Sequence, residues 1–530
     1  MPRAAGTGAP RYRLLRTLEG SRGAVGKMSE VPISVELRTT APPDETQRNA
    51  ELLPRVLNGV FWVLNSNALG RALNITRGVI LARLLVPDDF GLFGLATVVI
   101  GFTAMFGDVG AGAFLIYSQD RIEDHVDTAF WANLSIATLL GLGVLVAAPL
   151  VARFYRRPDL VPILAVLAIS LWVQTAASVH RNLVRRDLRF RSLAMIDGLV
   201  SFAAFVIAVL LAWRGYGVWS FVLSALLSNA VSAVLLFYVC AWVPRWRFSR
   251  GSFDALAPFS GWYVAQALVW YLVLNVDNLM VGKFLGIDAL GIYGLAYNYA
   301  LLPISFIGIS LGNVVFAELP RLYPDPQRFW SAYFTSSKLL AGLVCPIAAA
   351  LVIAAPDMFP ILFGPKWTSA IVPFQILAIY GAIRGLWMDP FGSLGKFRPC
   401  FWTALVALLL SGAAIYLAIP YGKTGVALAV LVAVGATHIA GLYVVSRSFG
   451  IWLRGFRNSA PYFLAATAAT AAAAGTRYGF SQTISHNKEL LVLVSLTTLF
   501  GIYGAVFHKQ LRRNLSLMMS KQVARFNESV

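Results

Sequence analysis

Apolar residues in this chain fall in blocks of about twenty, separated by short polar intervals, and one such block suffices to cross a hydrocarbon core of roughly 30 Å as a helix. The pattern predicts fourteen spans, near 57–84, 91–116, 129–153, 160–182, 193–213, 216–240, 259–285, 290–316, 333–354, 370–394, 400–419, 424–445, 460–476 and 490–508. Polar residues interrupt the seventh, eighth and tenth, and the thirteenth is short and Ala-rich, so twelve or thirteen spans remain alternatives. The predicted class is an all-α polytopic membrane protein.

One stretch occurs twice. Arg83 to Ala96 reads RLLVPDDFGLFGLA, and Lys283 to Ala296 reads KFLGIDALGIYGLA, with six identities in fourteen positions. Each copy joins two spans, and six spans separate them, so the chain is expected to hold two parallel six-helix lobes, a common basis for alternating access. The expected divisions are a disordered cytoplasmic tail (1–50), an N-lobe (55–245), a C-lobe (255–446), an appended pair of helices (458–508) and a cytoplasmic C-terminal tail (509–530). Met28 is an alternative start. Within the repeat, Gly91 and Gly94, like Gly291 and Gly294, form a smooth strip for close helix contact. Asp88 and Asp288 precede these helices and suit their positive N-terminal ends.

Composition supports the membrane reading: 58% of residues are hydrophobic and 13% charged. Mean hydropathy is +0.68. The net charge of +19 would suggest nucleic acid in a soluble protein, but the basic residues lie between apolar runs and no nucleic-acid motif accompanies them. They read instead as topology and contact with anionic lipid. With the N-terminus placed inside, the internal loops hold sixteen Lys and Arg and the external loops eight. That bias predicts both ends in the cytoplasm.

Ionisable groups inside spans are costly and generally face protein or a wet cavity. The chain places Arg77, Arg83, Asp108, Asp277, Lys283, Arg384 and Asp389 in or beside its spans. A cavity holding Arg77, Arg384 and Lys283 would suit a phosphorylated substrate, because guanidinium matches phosphate geometry. Arg83 and Lys283, near the boundary, have the alternative of snorkelling. Asp277 is a candidate for substrate handling or gating, and Asp108 and Asp389 for structural pairing or ion coupling. Asn74, one turn before Arg77, could bridge helices or meet a sugar hydroxyl. Trp62, Trp270, Tyr271, Tyr293, Tyr297 and Tyr299 offer stacking faces, although packing explains them as simply. No GxxxxGK[ST], HExxH, CxxC or nucleophile-elbow motif is present. Three cysteines and five histidines are scattered without metal-ligand spacing. No cofactor or catalytic residue is expected, and any coupling ion, H+ or Na+, is unspecified.

The segments LLVPDDFGLFGLA, GDVGAGAFLIYSQD with DTAFWANL, LVRRDLRFRSLA, LNVDNLMVGKFLGIDALGIYGLAYNYALLP and VFAELPRL together resemble bacterial polysaccharide-biosynthesis flippases. These belong to the multidrug/oligosaccharidyl-lipid/polysaccharide exporter superfamily, and the likeness is nearest to colanic-acid-type lipopolysaccharide exporters. It covers roughly 55–510. The resemblance implies a fourteen-helix fold around a central cavity and a non-enzymatic function. That function is translocation of an undecaprenyl-pyrophosphate-linked oligosaccharide across the bacterial inner membrane, with polymerase and assembly proteins as further partners. Alternatives are an ion-coupled exporter of small amphiphiles, a lipid-linked peptidoglycan precursor flippase and a non-transporting scaffold of polysaccharide assembly.

Overall fold

Pro87, whose fixed φ suits the first turn of a helix, opens the second helix of a computed structural model in which the described elements are helical. The structure describes residues 45–105, 123–240, 242–247, 249, 261–302, 307, 319, 322, 325–385, 397–449, 496–499 and 501. Asp108, Asp389 and nearly all of the expected last two spans lie outside them. The chain divides into units 1–54 and 55–530. The described residues of the first unit, 45–54, are helical, and everything below concerns the second.

The long helices are α1 (Glu45–Leu84), α2 (Pro87–Ala104), α3 (Glu123–Tyr155), α4 (Leu160–Arg186), α5 (Phe190–Trp213) and α6 (Trp219–Val239) in the N-terminal half. The C-terminal half holds α7 (Gly261–Phe284), α8 (Ile287–Ala300), α9 (Pro326–Leu362), α10 (Ile371–Gly385), α11 (Phe397–Ala418) and α12 (Gly422–Phe449). A 3-10 turn, Pro365–Ala370, links α9 to α10. Among the described residues, seven helical stretches are long and apolar enough to cross a membrane. Many of their large apolar side chains are exposed, such as Val146 at 76% and Leu417 at 73%, which fits a lipid rather than an aqueous surround.

Packing repeats from half to half. The contacts α3–α4, α4–α6, α5–α6 and α2–α4 recur as α9–α10, α10–α12, α11–α12 and α8–α10. The pair α2–α8 relates to itself under that exchange and joins the halves. At this crossing a Cβ on Gly91 would overlap the Ile287 carbonyl, and a Cβ on Gly291 would overlap the Pro87 carbonyl. Pro87 and Ile287 are the same position in the two repeats, so Gly91 and Gly291 flank a local two-fold. Gly94 and Gly294 meet nothing within 4 Å of a built Cβ. The strip of four glycines therefore separates into a contact pair and an open pair. The largest buried cluster lies beside the crossing and draws on both halves, including Leu95, Leu164, Leu290, Tyr293, Phe359 and Trp367.

Candidate functional site

The two repeats end α1 and α7, and their leading basic residues bind across to the other half. Arg83 Nε donates to the Leu362 carbonyl at 2.9 Å, and its Nη2 donates to the Ile361 carbonyl. Lys283 Nζ donates to the Phe154 carbonyl and sits 3.9 Å from the Phe154 ring centroid. Each cation thus reaches the C-terminal carbonyls of the third helix in the opposite half. These carbonyls lack intrahelical partners and carry the negative end of the helix dipole. Further donors complete the seam. Trp367 Nε1 binds the Ala82 carbonyl at 2.8 Å, Lys366 Nζ binds the carbonyls of Arg83 and Leu85, and Tyr155 Oη donates to Leu279 at 3.3 Å.

Lys366 and Trp367 escaped the sequence reading, although a signal was present. An aromatic residue at or just past the end of the third helix, Tyr155 in one half and Phe363 in the other, precedes a left-handed residue, Arg156 (φ 56) or Gly364 (φ 94). A basic residue follows in both. Arg157 makes a two-pronged ion pair with Asp88, both contacts at 2.5 Å, which raises the guanidinium pKa further. Asp288, its counterpart, is exposed in the first turn of α8.

Asp89, at the third position of α2, accepts the Val86 backbone N–H at 3.2 Å. Partial burial pushes its pKa up, opposed by hydrogen bonds from the Val86 and Val218 backbones and by Lys366. A raised carboxylate pKa means that the folded chain holds this proton more tightly than the unfolded one. Its stability contribution then falls as pH rises through the window above the ordinary Asp value near 4. Thermal midpoints in detergent are expected to decrease as the pH is raised from about 4 to about 7. Asp89→Asn should flatten it, and an identical slope in the variant refutes the assignment.

Deeper in the bundle the predicted charges separate. On α1, Gly78 lies under the Tyr299 hydroxyl of α8, which donates to the Ile75 carbonyl at 3.2 Å. Arg77, half-buried, is beside Tyr299. Helical spacing places Asn67, Arg71 and Asn74 in line with Gly78, on the face turned toward the C-terminal half. Asn74 Nδ2 binds the Gly70 carbonyl of its own helix at 2.9 Å. Arg71 on this face was not singled out from the sequence. The tyrosine hydroxyls named as stacking candidates are engaged: Tyr271 donates to the Val98 carbonyl at 2.7 Å and Tyr293 to Asp277 at 2.8 Å.

Asp277 and Arg384 share a cavity of about 640 Å³ inside the C-terminal half. Arg384 Nη1 donates to Tyr297 Oη at 3.3 Å. Asp277 accepts from Tyr293 and from the Asn278 side chain at 3.3 Å. The structure therefore brings Asp277 to Arg384, places Arg77 between the halves, and sets Arg83 and Lys283 at the repeat end. Among the described residues, the cavity at Arg384 is lined by neither Arg77 nor Lys283. Among the described residues no His, Cys, Asp and Glu cluster could hold a metal.

A model of the family described as polysaccharide biosynthesis protein matches residues 80–372. Succinoglycan biosynthesis transport protein ExoT of Rhizobium meliloti (strain 1021) is 28% identical over 368 residues, 69% of this chain and 74% of that protein. Teichuronic acid biosynthesis protein TuaB of Bacillus subtilis (strain 168) is 27% identical over 429 residues, 77% of this chain and 85% of its own. The solved structure of lipid II flippase MurJ in an inward closed conformation gives a TM-score of 0.67 at 12% identity. It covers 85% of this chain and 100% of that one, a likeness of fold.

Proposed function

Because the chain belongs to the polysaccharide biosynthesis protein family, we propose that it flips a polyprenyl-pyrophosphate-linked oligosaccharide across the bacterial inner membrane during exopolysaccharide, capsule or O-antigen synthesis. It is a carrier and not an enzyme. The observation that carries the reading is the extent of the family match, 80–372, which runs through both repeats and the two-fold crossing. The names of the relatives, succinoglycan transport and teichuronic acid biosynthesis, support a polysaccharide precursor as cargo.

In this mechanism the fourteen spans comprise two six-helix lobes and a terminal pair, and both termini face the cytoplasm. The repeat end is external. The cross-lobe bonds there close the outer side, so the cargo head enters from inside while its polyprenyl tail stays in lipid. Arg77 meets the anionic head between the lobes, with Asn74 beside it, and Arg384 and Asp277 act within the C-lobe. Keeping the head on protein cations avoids exposing its charge to hydrocarbon. Rocking about the α2–α8 crossing then breaks the outer seam and presents the head outside. Membrane lipids are obligatory partners; a polymerase and assembly proteins are expected ones.

The test is translocation of a labelled polyprenyl-pyrophosphate-linked glycan in proteoliposomes. Arg77→Ala and Arg384→Ala are each expected to slow transport about tenfold or more, the range of a lost charge-assisted hydrogen bond. Full transport in both well-folded variants would remove these residues from the route. Equal transport of a lipid-linked peptidoglycan precursor would reassign the cargo.

A further inference from the structure

The C-terminal cavity is long as well as large. On α11 its wall runs from Pro399 to Ile415, roughly 24 Å at the helical rise. Its volume of about 640 Å³ is that of a small-molecule site. Most of the wall is apolar, with Leu274, Val406, Val430 and Val434 on three helices. Trp402 and Val406 line it while remaining 52% and 49% exposed, so the cavity reaches the outer, lipid-facing side of α11.

Arg384 stands in the wall of this apolar space. A guanidinium has five N–H donors, and the side chains it bonds are the neutral phenols Tyr297 and Tyr380. The carboxylate in the same cavity, Asp277, is held by Tyr293 and Asn278, and no ion pair within 4.0 Å joins it to Arg384 among the described residues. Asp277 acts on Arg384 only through space, and a guanidinium in an apolar wall favours an anion bonded directly to it. Thr403 and Thr437 also line the cavity, with their hydroxyls donating to the Cys400 and Val434 carbonyls of their own helices.

We propose that this cavity binds a single-chain anionic amphiphile, its hydrocarbon along the apolar tube and its phosphate or carboxylate on Arg384, with entry from the bilayer past Trp402. The site takes up the Arg384 of the transport reading but is testable without transport. Full-length protein in nanodiscs of zwitterionic lipid would be titrated with radiolabelled hexadecyl phosphate. The expected result is saturable binding, weakened about tenfold or more in Arg384→Gln. Ala407→Trp and Val434→Trp, which fill the tube, should abolish it. Palmitate and hexadecyl phosphate as competitors distinguish a carboxylate from a phosphate lipid, and displacement by either upholds the site. Competition by hexadecanol equal to that of the phosphate overturns the anionic head. Undiminished binding in both tryptophan variants, folded by thermal midpoint, overturns the location. Flipping measured on the same preparations separates the outcomes, since lost binding with intact flipping refutes only a link to transport.

Discussion

Gly91→Ala should destabilise the protein by about 3 kcal/mol or more, the upper end of overpacking costs, while Gly94→Ala three residues away should be neutral or stabilising. The difference follows from what the new methyl meets. At Gly91 it strikes the carbonyl of Ile287, and 2.7 Å away lies the Ile287 Cγ2. The side chain can rotate, but the carbonyl belongs to the first turn of α8 and can move only with that helix. At Gly94 a Cβ has open space, and replacing a helical Gly by Ala gains up to about 1 kcal/mol of propensity. Gly291→Ala, facing the Pro87 carbonyl, should match Gly91→Ala, and Gly294→Ala should match Gly94→Ala. Thermal midpoints of the four variants in detergent measure this. Equal midpoints for Gly91→Ala and Gly94→Ala would mean that the helices do not cross at Gly91.

The double variant Arg83→Ala/Lys283→Ala should release the repeat end. Each cation bonds to helix-terminal carbonyls of the other half. A charge-assisted hydrogen bond is worth about 1.5 to 3 kcal/mol net, and these are at the lower end because Arg83 is exposed. Two losses of about 1.5 kcal/mol shift an opening equilibrium by roughly a hundredfold. Each single variant should shift it by roughly tenfold, since the caps are related by the two-fold. Ala82, fully buried at the seam, is the reporter. Ala82→Cys in a background lacking Cys240, Cys345 and Cys400 should react slowly with a membrane-impermeant maleimide and much faster in the double variant. Arg83→Lys should preserve part of the protection. Unchanged labelling in the double variant would show that the caps do not hold this end closed.

The frame was readable in the sequence because it is written as a repeat. Identical Asp, Gly and Leu at one offset, with six apolar blocks between copies, point to two related halves, and the equivalent helix contacts show that repeat-like packing. Helix ends were less legible. The block starting at 91 was read four residues late, because apolarity does not register that Pro87 already begins the helix. Gly91 and Gly94 could not be told apart, since both sit on one face and only the place where two helices cross distinguishes them.

The charges were found but not their destinations. Apolar context identified Arg77, Asp277, Lys283 and Arg384 as unusual, yet the rotation of each helix about its axis decides which space a side chain enters. Arg83 and Lys283 were harder still. Their partners are carbonyls 278 and 129 residues away, and a carbonyl leaves no mark in the sequence.

That last property reaches beyond this molecule. In each bond of the seam between the halves, a side-chain donor from one half meets bare backbone of the other. A lock made that way has teeth on the key and none in the barrel. Residues 361 and 362 can be exchanged for any others that keep the helix, and the bonds of Arg83 survive; at 154 the carbonyl bond survives while the ring contact with Lys283 is lost. Substitutions at Arg83 or Lys283 therefore call for no answering change elsewhere in the chain. A search for correlated substitutions across descendants of this protein should pass over this seam in silence, while the glycine pair beside it stays fixed.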